Sequence, residues 1–326
     1  MKHISILVPR GAVLGSIEGP RLVFSEVNNL LRRLGKPPLF EVQLAGLAPD
    51  TPVCGGLYTV STAQQITDLP RTDLIIIPAL DGDLPAALEA NHAFGPWIVE
   101  QYRRGAEVAS LCLGAFLLAS TGLLDGRQCT THWAAVQEFR RLFPQVELVE
   151  DKLITDEHGI YSSGGAFSYL NLVLYLVEKF AGRDMAVTCA KVFQIDMGRV
   201  SQSAFIVFQG QKEHGDELVR KAQTYIEDNY QGKITVDQLA DQLALGRRNL
   251  ERRFKKATTN SVAEYIQRVK IEAAKTSLES SHQNVNEVMY DVGYTDPKAF
   301  RVTFKRLTGL SPMQYRSKYN RTRTVV

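Results

Sequence analysis

The sequence predicts an α/β domain with a mostly parallel sheet and helices on both faces, followed by a second, all-α domain with two helix-turn-helix units. Three observations predict it. Short apolar runs rich in β-branched residues alternate with helix-period segments through roughly the first 200 residues. The C-terminal third contains one pattern twice. Residues 1–210 carry 17 Lys and Arg against 21 Asp and Glu, a balance of −4, whereas residues 211–326 carry 21 against 14, a balance of +7. With 326 residues there is enough chain for two cores.

The composition, 44% hydrophobic and 22% charged, is that of a water-soluble globular protein and excludes collagenous, disordered and disulfide-stapled classes. No apolar run reaches the roughly 18 residues of a membrane span. The apolar start Ile4-Ser5-Ile6-Leu7-Val8 is cut by Pro9-Arg10 too soon for a signal peptide, so a cytoplasmic protein without a membrane partner is expected. Cys54, Cys112, Cys129 and Cys189 show no Cys-x-x-Cys spacing, which points to reduced thiols and to no metal or cofactor.

In the first domain strands are expected at residues 4–8, 40–44, 74–77 and 107–112, and helices at 21–34, 114–124 and 169–179. Alternation of this kind builds a parallel sheet whose ligands sit beyond the carboxyl ends of the strands. Asp81 and Gly82 fall at such an end, where they line a cleft or simply make a turn. Cys112, between the strand Val108-Ala109-Ser110-Leu111 and the helix that opens Leu113-Gly114-Ala115, occupies a strand-to-helix elbow. A helix N-terminus favours a thiolate and offers N–H donors to an oxyanion, and His132 is the candidate base. Packing roles for both residues are the alternative.

In the second domain residues 245–270 match 295–320 at an offset of 50: Leu250 with Phe300, Phe254 with Phe304, Thr258 with Thr308, Ser261 with Ser311 and Tyr265 with Tyr315. Each copy follows a short amphipathic segment and a glycine, Gly246 or Gly293, which reads as helix, turn, helix. Thr235 with Gln238, Ser261 with Glu264 and Asn284 with Glu287 are capping boxes, and Asp296-Pro297 and Ser311-Pro312 place a cap before proline. A longer helix over 262–278 joins the units. The second helix of such a unit enters the major groove of double-stranded DNA. With Leu250 and Phe254 inward, Arg247, Arg248, Asn249, Glu251, Arg252 and Lys255 are the outward set of the first copy. Thr295, Pro297, Lys298, Arg301, Lys305 and Arg306 are that of the second.

The run Gly293-Tyr294-Thr295-Asp296-Pro297, Phe300, Phe304-Lys305-Arg306, Thr308-Gly309, Ser311-Pro312 and Tyr315-Arg316 resembles the AraC family of transcription regulators. The stretch from Cys112-Leu113-Gly114-Ala115-Phe116 through Gly122-Leu123-Leu124-Asp125-Gly126 to Thr131-His132-Trp133, with Glu18-Gly19-Pro20 and Ser162-Ser163-Gly164-Gly165, is similar to PfpI-type domains. These belong to the class I glutamine amidotransferase-like superfamily, and the likeness is to GlxA-like regulators, which fuse such a domain to an AraC tail. The resemblance implies a flavodoxin-like first domain that senses a small-molecule effector, by default a nitrogenous metabolite. It also implies a homodimeric DNA-binding regulator, an activator, that meets RNA polymerase at a promoter. In such enzymes a cysteine, a histidine and an acidic residue form the site, here Cys112, His132 and Glu18. The pocket is then expected from Ser16, Glu18, Asp81, Gly82, Cys112, Leu113, His132, Tyr169 and Asn171.

This chain departs from the pattern at Ser16, where aspartate is usual, at Tyr169 and Asn171, where glycine and aspartate are, and at Val302, where arginine is common. The first three favour sensing over catalysis, so no catalytic residues are expected. The rivals are a cysteine-dependent hydrolase or hydratase and a redox-sensing regulator, both acting through Cys112. The expected domains are 1–205, sensing; 206–216, linker; and 217–326, DNA-binding.

Overall fold

The computed structural model describes residues 1–320, and the chain divides into two units, Met1–Gln202 and a second from Ser203 onward. In the first, β1 (Lys2–Leu7) is followed by α1 (Leu14–Arg33), β2 (Phe40–Gly46), the hairpin β3 (Asp50–Val53) and β4 (Tyr58–Ser61), and the short β5 (Gln64–Gln65). Next come β6 (Leu74–Ile77), α2 (Leu84–Asn91), α3 (Phe94–Arg103), β7 (Glu107–Leu111) and α4 (Gly114–Ala119). The rest is β8 (Gln128–Cys129), α5 (Val136–Leu142), β9 (Glu147–Leu148), β10 (Ile154–Glu157), β11 (Ile160–Ser163), α6 (Tyr169–Ala181) and α7 (Arg183–Phe193).

Seven strands form one sheet in the order β10-β11-β7-β6-β1-β2-β5, parallel throughout except for the antiparallel β10–β11 pair. The strand period of two explains why it needs helices on both faces. Ile4, Ile6, Leu74, Ile76, Ala109, Leu111 and Tyr161 pack with α1, α6 and α7, while Leu7, Ile75, Ile77, Val108 and Ile160 pack with α2 to α5.

Two expected helices differ in their bounds by about five residues or more. The first begins at Leu14 instead of residue 21, so Gly15, Gly19 and Pro20 lie inside a helix, although they look like breakers in the sequence. Gly19 is required there: a Cβ would come within 2.7 Å of the Tyr169 hydroxyl. The helix expected to reach residue 124 ends at Ala119, and turns at Gly122 and Gly126, both with positive φ, carry the chain to β8.

The second unit contains α8 (Glu217–Asn229), α9 (Val236–Gln242), α10 (Arg247–Thr258), α11 (Val262–Ser280), α12 (Val285–Asp291), α13 (Pro297–Thr308) and α14 (Pro312–Tyr319). The three capping boxes are formed, and a fourth joins Ser311 to Gln314. Two small cores follow the repeat. Leu250, Phe254, Val262 and Tyr265 belong to one; Ile271, Leu278, Phe300, Phe304 and Tyr315 to the other; and α11 contributes to both. The phenol of Tyr265 donates to Glu227 (2.7 Å) and that of Tyr315 to Glu279 (2.5 Å).

The two glycines of the repeat are not equivalent. Gly293 adopts φ +75°, where a Cβ would strike the Gln231 carbonyl, whereas Gly246 is an ordinary N-cap (φ −69°) and Ala244 takes the left-handed position (φ 52°). Residues 206–216, expected as a linker, run within the second unit: the Lys275 ammonium donates to the Ile206 carbonyl (2.6 Å), the Phe208 N–H to Glu272 (3.1 Å), and the Gln223 amide to the Gln211 carbonyl (2.9 Å).

Candidate functional site

Cys112 follows β7 directly and has φ 52°, a left-handed conformation that costs a non-glycine residue about 1–2 kcal/mol. Its neighbours fix it. The Cys112 N–H donates to the Ser163 carbonyl (2.9 Å), and its own carbonyl accepts from the Thr131 hydroxyl (3.0 Å). A Cβ on Gly114 would lie 2.6 Å from the Ile77 carbonyl, so only glycine lets α4 start this close to β6. The residue is 5% exposed, and burial pushes its thiol pKa up to about 11, against a smaller lowering effect of the Leu113 N–H. Burial thus favours the thiol over the thiolate, which supports the packing alternative for Cys112.

The expected partners are committed elsewhere. Both carboxylate oxygens of Glu18 accept from Arg21 (2.5 Å each), one turn along α1, and this pairing holds the Glu18 pKa below its usual value. The Nδ1 of His132 accepts from the Ala134 N–H (3.2 Å), the ring lies against Trp133 (5.4 Å between centroids), and burial lowers its pKa. Among the described residues no hydrogen bond joins Cys112 to His132 or to Glu18.

Other expected pocket residues have structural partners. The Ser16 hydroxyl donates to the Val13 carbonyl (2.7 Å) and accepts from the Ala79 N–H (2.9 Å), tying α1 to the end of β6. The Tyr169 phenol donates to the Gly15 carbonyl (2.6 Å) and fills the space over Gly19. The Asp81 N–H donates to the Gly11 carbonyl (2.8 Å) and its carboxylate accepts from the Gly82 N–H (2.8 Å), a turn before Asp83 caps α2. Leu113, half-buried, begins α4. These residues gather at the carboxyl ends of β1, β6 and β7. Asn171 does not join them: its amide donates to the Asp196 carbonyl (2.6 Å), in the segment after α7.

Around this elbow, Thr131 and Ser163 lie in stretches that carry the family likeness but were given no place in the pocket, and Gln202 was not singled out. The Gln202 amide nitrogen donates to the carbonyls of Thr131 and Glu150 (2.9 Å each) and packs against Gly164, where a Cβ would clash. The Ser163 hydroxyl and the Gln202 carbonyl oxygen are buried without a hydrogen-bond partner in the protein. Gln202 carried no local signal, because its role depends on contacts 50 to 72 residues away.

In the second unit α10 and α13 each turn Leu250 and Phe254, or Phe300 and Phe304, into a core. Arg248, Arg252 and Lys255 of α10 are exposed, as are Thr295, Pro297, Lys298, Arg301, Lys305 and Arg306 at and along α13. Not all of these cations are equally available. Arg247 pairs with Asp237 (3.1 Å) and Glu251 (3.4 Å), Arg252 donates to Asn249 (3.1 Å), and Arg306 donates to Gln267 (2.7 Å). Arg253, absent from the expected set, forms a two-point ion pair with Asp216, which also caps α8; the arginine holds that carboxyl below its usual range.

Comparison with known proteins agrees with this division. The DJ-1/PfpI family profile matches residues 26–179 and a helix-turn-helix domain profile matches residues 239–318. The chain is 24% identical over 248 residues to the HTH-type transcriptional regulator GbdR of Pseudomonas aeruginosa, covering 76% of this chain and 66% of that protein, just under two thirds of its length. It is 26% identical over 256 residues to the regulator CdhR of the same organism, covering 76% of each. A crystal structure of a THiJ/PfpI family protein from Pseudomonas syringae superposes with a TM-score of 0.51 at 17% identity, over 74% of this chain and 90% of that one, a likeness of fold.

Proposed function

We propose that the chain joins a DJ-1/PfpI-type domain to an AraC-type helix-turn-helix domain and is a DNA-binding transcription regulator controlled by a small molecule bound in the first domain. The observation that carries this reading is the pair of repeat-related helices, α10 and α13, each with a buried aromatic or aliphatic face and an exposed cationic one. Two such helices suit two successive segments of major groove. The DNA-contacting set is Arg247, Arg248, Asn249, Glu251, Arg252 and Lys255 with Thr295, Pro297, Lys298, Arg301, Lys305 and Arg306. Family likeness extends the reading to a cytoplasmic homodimer that meets RNA polymerase at a promoter.

Support for an effector site comes from the elbow. Cys112, Thr131, Ser163 and Gln202 surround it, and the two buried oxygens without protein partners, on Ser163 and Gln202, are groups that a polar ligand would satisfy. A catalytic or redox reading has less support, since burial favours the protonated thiol and Glu18 and His132 have other partners.

The test is the salt dependence of binding to a duplex selected by the protein from a random pool. With about five phosphate contacts the affinity should fall with a log–log slope near −4 to −5. Salt-insensitive binding, or failure to select any sequence, refutes the proposal. Effector control is tested by thermal stabilisation with amino acids, small amines and betaines, where a ligand at 100 times its Kd adds about 2.7 kcal/mol.

A further inference from the structure

The outward faces of α10 and α13 differ in chemistry at matched positions. At about 100° per residue, Arg248 and Arg252 lie within about 20° of the direction opposite Leu250, and Lys298 and Val302 hold the same places relative to Phe300. Val302 is 60% exposed, and Ala299, one turn before it, is also exposed. In α10 the same two positions are Asn249 and Arg252, bonded to each other at 3.1 Å. A hydrogen-bonded polar pair in one helix, with Arg252 the donor and Asn249 the acceptor, thus corresponds to an apolar pair in the other. Val302 makes no contribution to the adjoining core, and valine is a poorer helix former than the arginine at its counterpart.

We propose that Ala299 and Val302 read the 5-methyl group of thymine, while Arg252, oriented by Asn249, reads guanine, so that the two halves of the DNA site are recognised by different chemistry. The inference rests on the DNA-binding reading above and specifies it. The major-groove edge presents one apolar feature, the thymine methyl, and small apolar side chains are what contact it; the guanine edge presents two acceptors matched by a guanidinium. Neither valine nor alanine can hydrogen-bond a base or hold a phosphate, which leaves phosphate contacts in this half to Lys298, Arg301 and Lys305.

The experiment uses the full chain and selection from a random duplex pool, followed by titration of the selected duplex by fluorescence anisotropy. The wild type should select guanine in one half and thymine in the other. V302S, which has no methyl group, should weaken the thymine preference and keep the guanine, R252A should do the reverse, and V302T, which keeps one methyl group, should keep the thymine preference. Replacing that thymine by uracil removes only the methyl and should weaken wild-type binding about threefold to fivefold while affecting V302S less. An unaltered thymine preference in a V302S protein with wild-type thermal unfolding, or equal binding of thymine and uracil duplexes, overturns the proposal while the regulator reading stands. Failure of the wild type to select any sequence overturns both.

Discussion

Alkylation of Cys112 separates a buried structural thiol from a reactive one. With a pKa of about 11 against 9.0 for an ordinary thiol, its thiolate fraction at pH 7.5 is lower by two powers of ten, about 0.03% against about 3%. Iodoacetamide should therefore modify Cys112 at least 100-fold more slowly than N-acetylcysteine, with burial slowing it further. The measurement is peptide-resolved mass spectrometry of a labelling time course from pH 7 to 11, in which the Cys112 rate should still be rising at pH 10. The same shift sets a linkage. The unfolded chain loses this proton first, so the contribution of the buried thiol to stability is whole below pH 9 and is lost as pH rises through 11. Its full size is on the order of a few kcal/mol. Labelling within tenfold of N-acetylcysteine at pH 7.5, with a midpoint below pH 8.5, would refute the reasoning and return Cys112 to the cysteine-dependent readings.

Two further substitutions test the helical unit. G293A forces alanine to φ +75° and sets its methyl against the Gln231 carbonyl, so stability should fall by about 2–3 kcal/mol, read from the urea midpoint at unchanged slope. N284A removes a cap that accepts from the N–H groups of Asn286 and Glu287 (3.0 Å each) and should lower stability by about 1 kcal/mol in the same assay; a change below about 0.3 kcal/mol would show that the cap does not hold α12.

What could be read from the sequence was local chemistry or strict periodicity. Thr235, Ser261 and Asn284 announce their helices because a cap and its partner lie three residues apart, and β6 announces itself because Leu74-Ile75-Ile76-Ile77 is buried on both faces. The start of α1 was hidden by Gly15, Gly19 and Pro20, and the side chain that packs over the two glycines is Tyr169, about 150 residues away. Once that helix begins at Leu14, Glu18 and Arg21 are one turn apart and their ion pair follows, which is why the acidic residue does not serve Cys112. Of the candidate pocket, the elbow itself was legible and its lining was not. Gln202 and Ser163 act through contacts made by distant strands, and Asn171 faces a segment that no local pattern places beside it.

The unbroken helix α11 has a mechanical meaning. Its 19 residues span about 28 Å, and its two ends are embedded in the two cores that hold α10 and α13. Near its middle the buried Lys270 ammonium donates to the carbonyls of Gly232 and Gly293 (3.1 Å each), clamping the turns on either side. The two repeat-related helices are therefore mounted on one continuous strut. A duplex repeats its groove every 34–36 Å, so in the regulator reading any difference between that repeat and the spacing of the two helices falls on the nucleic acid. Inserting a single base pair between the two halves rotates one relative to the other by about 35°, an error that a continuous strut does not absorb.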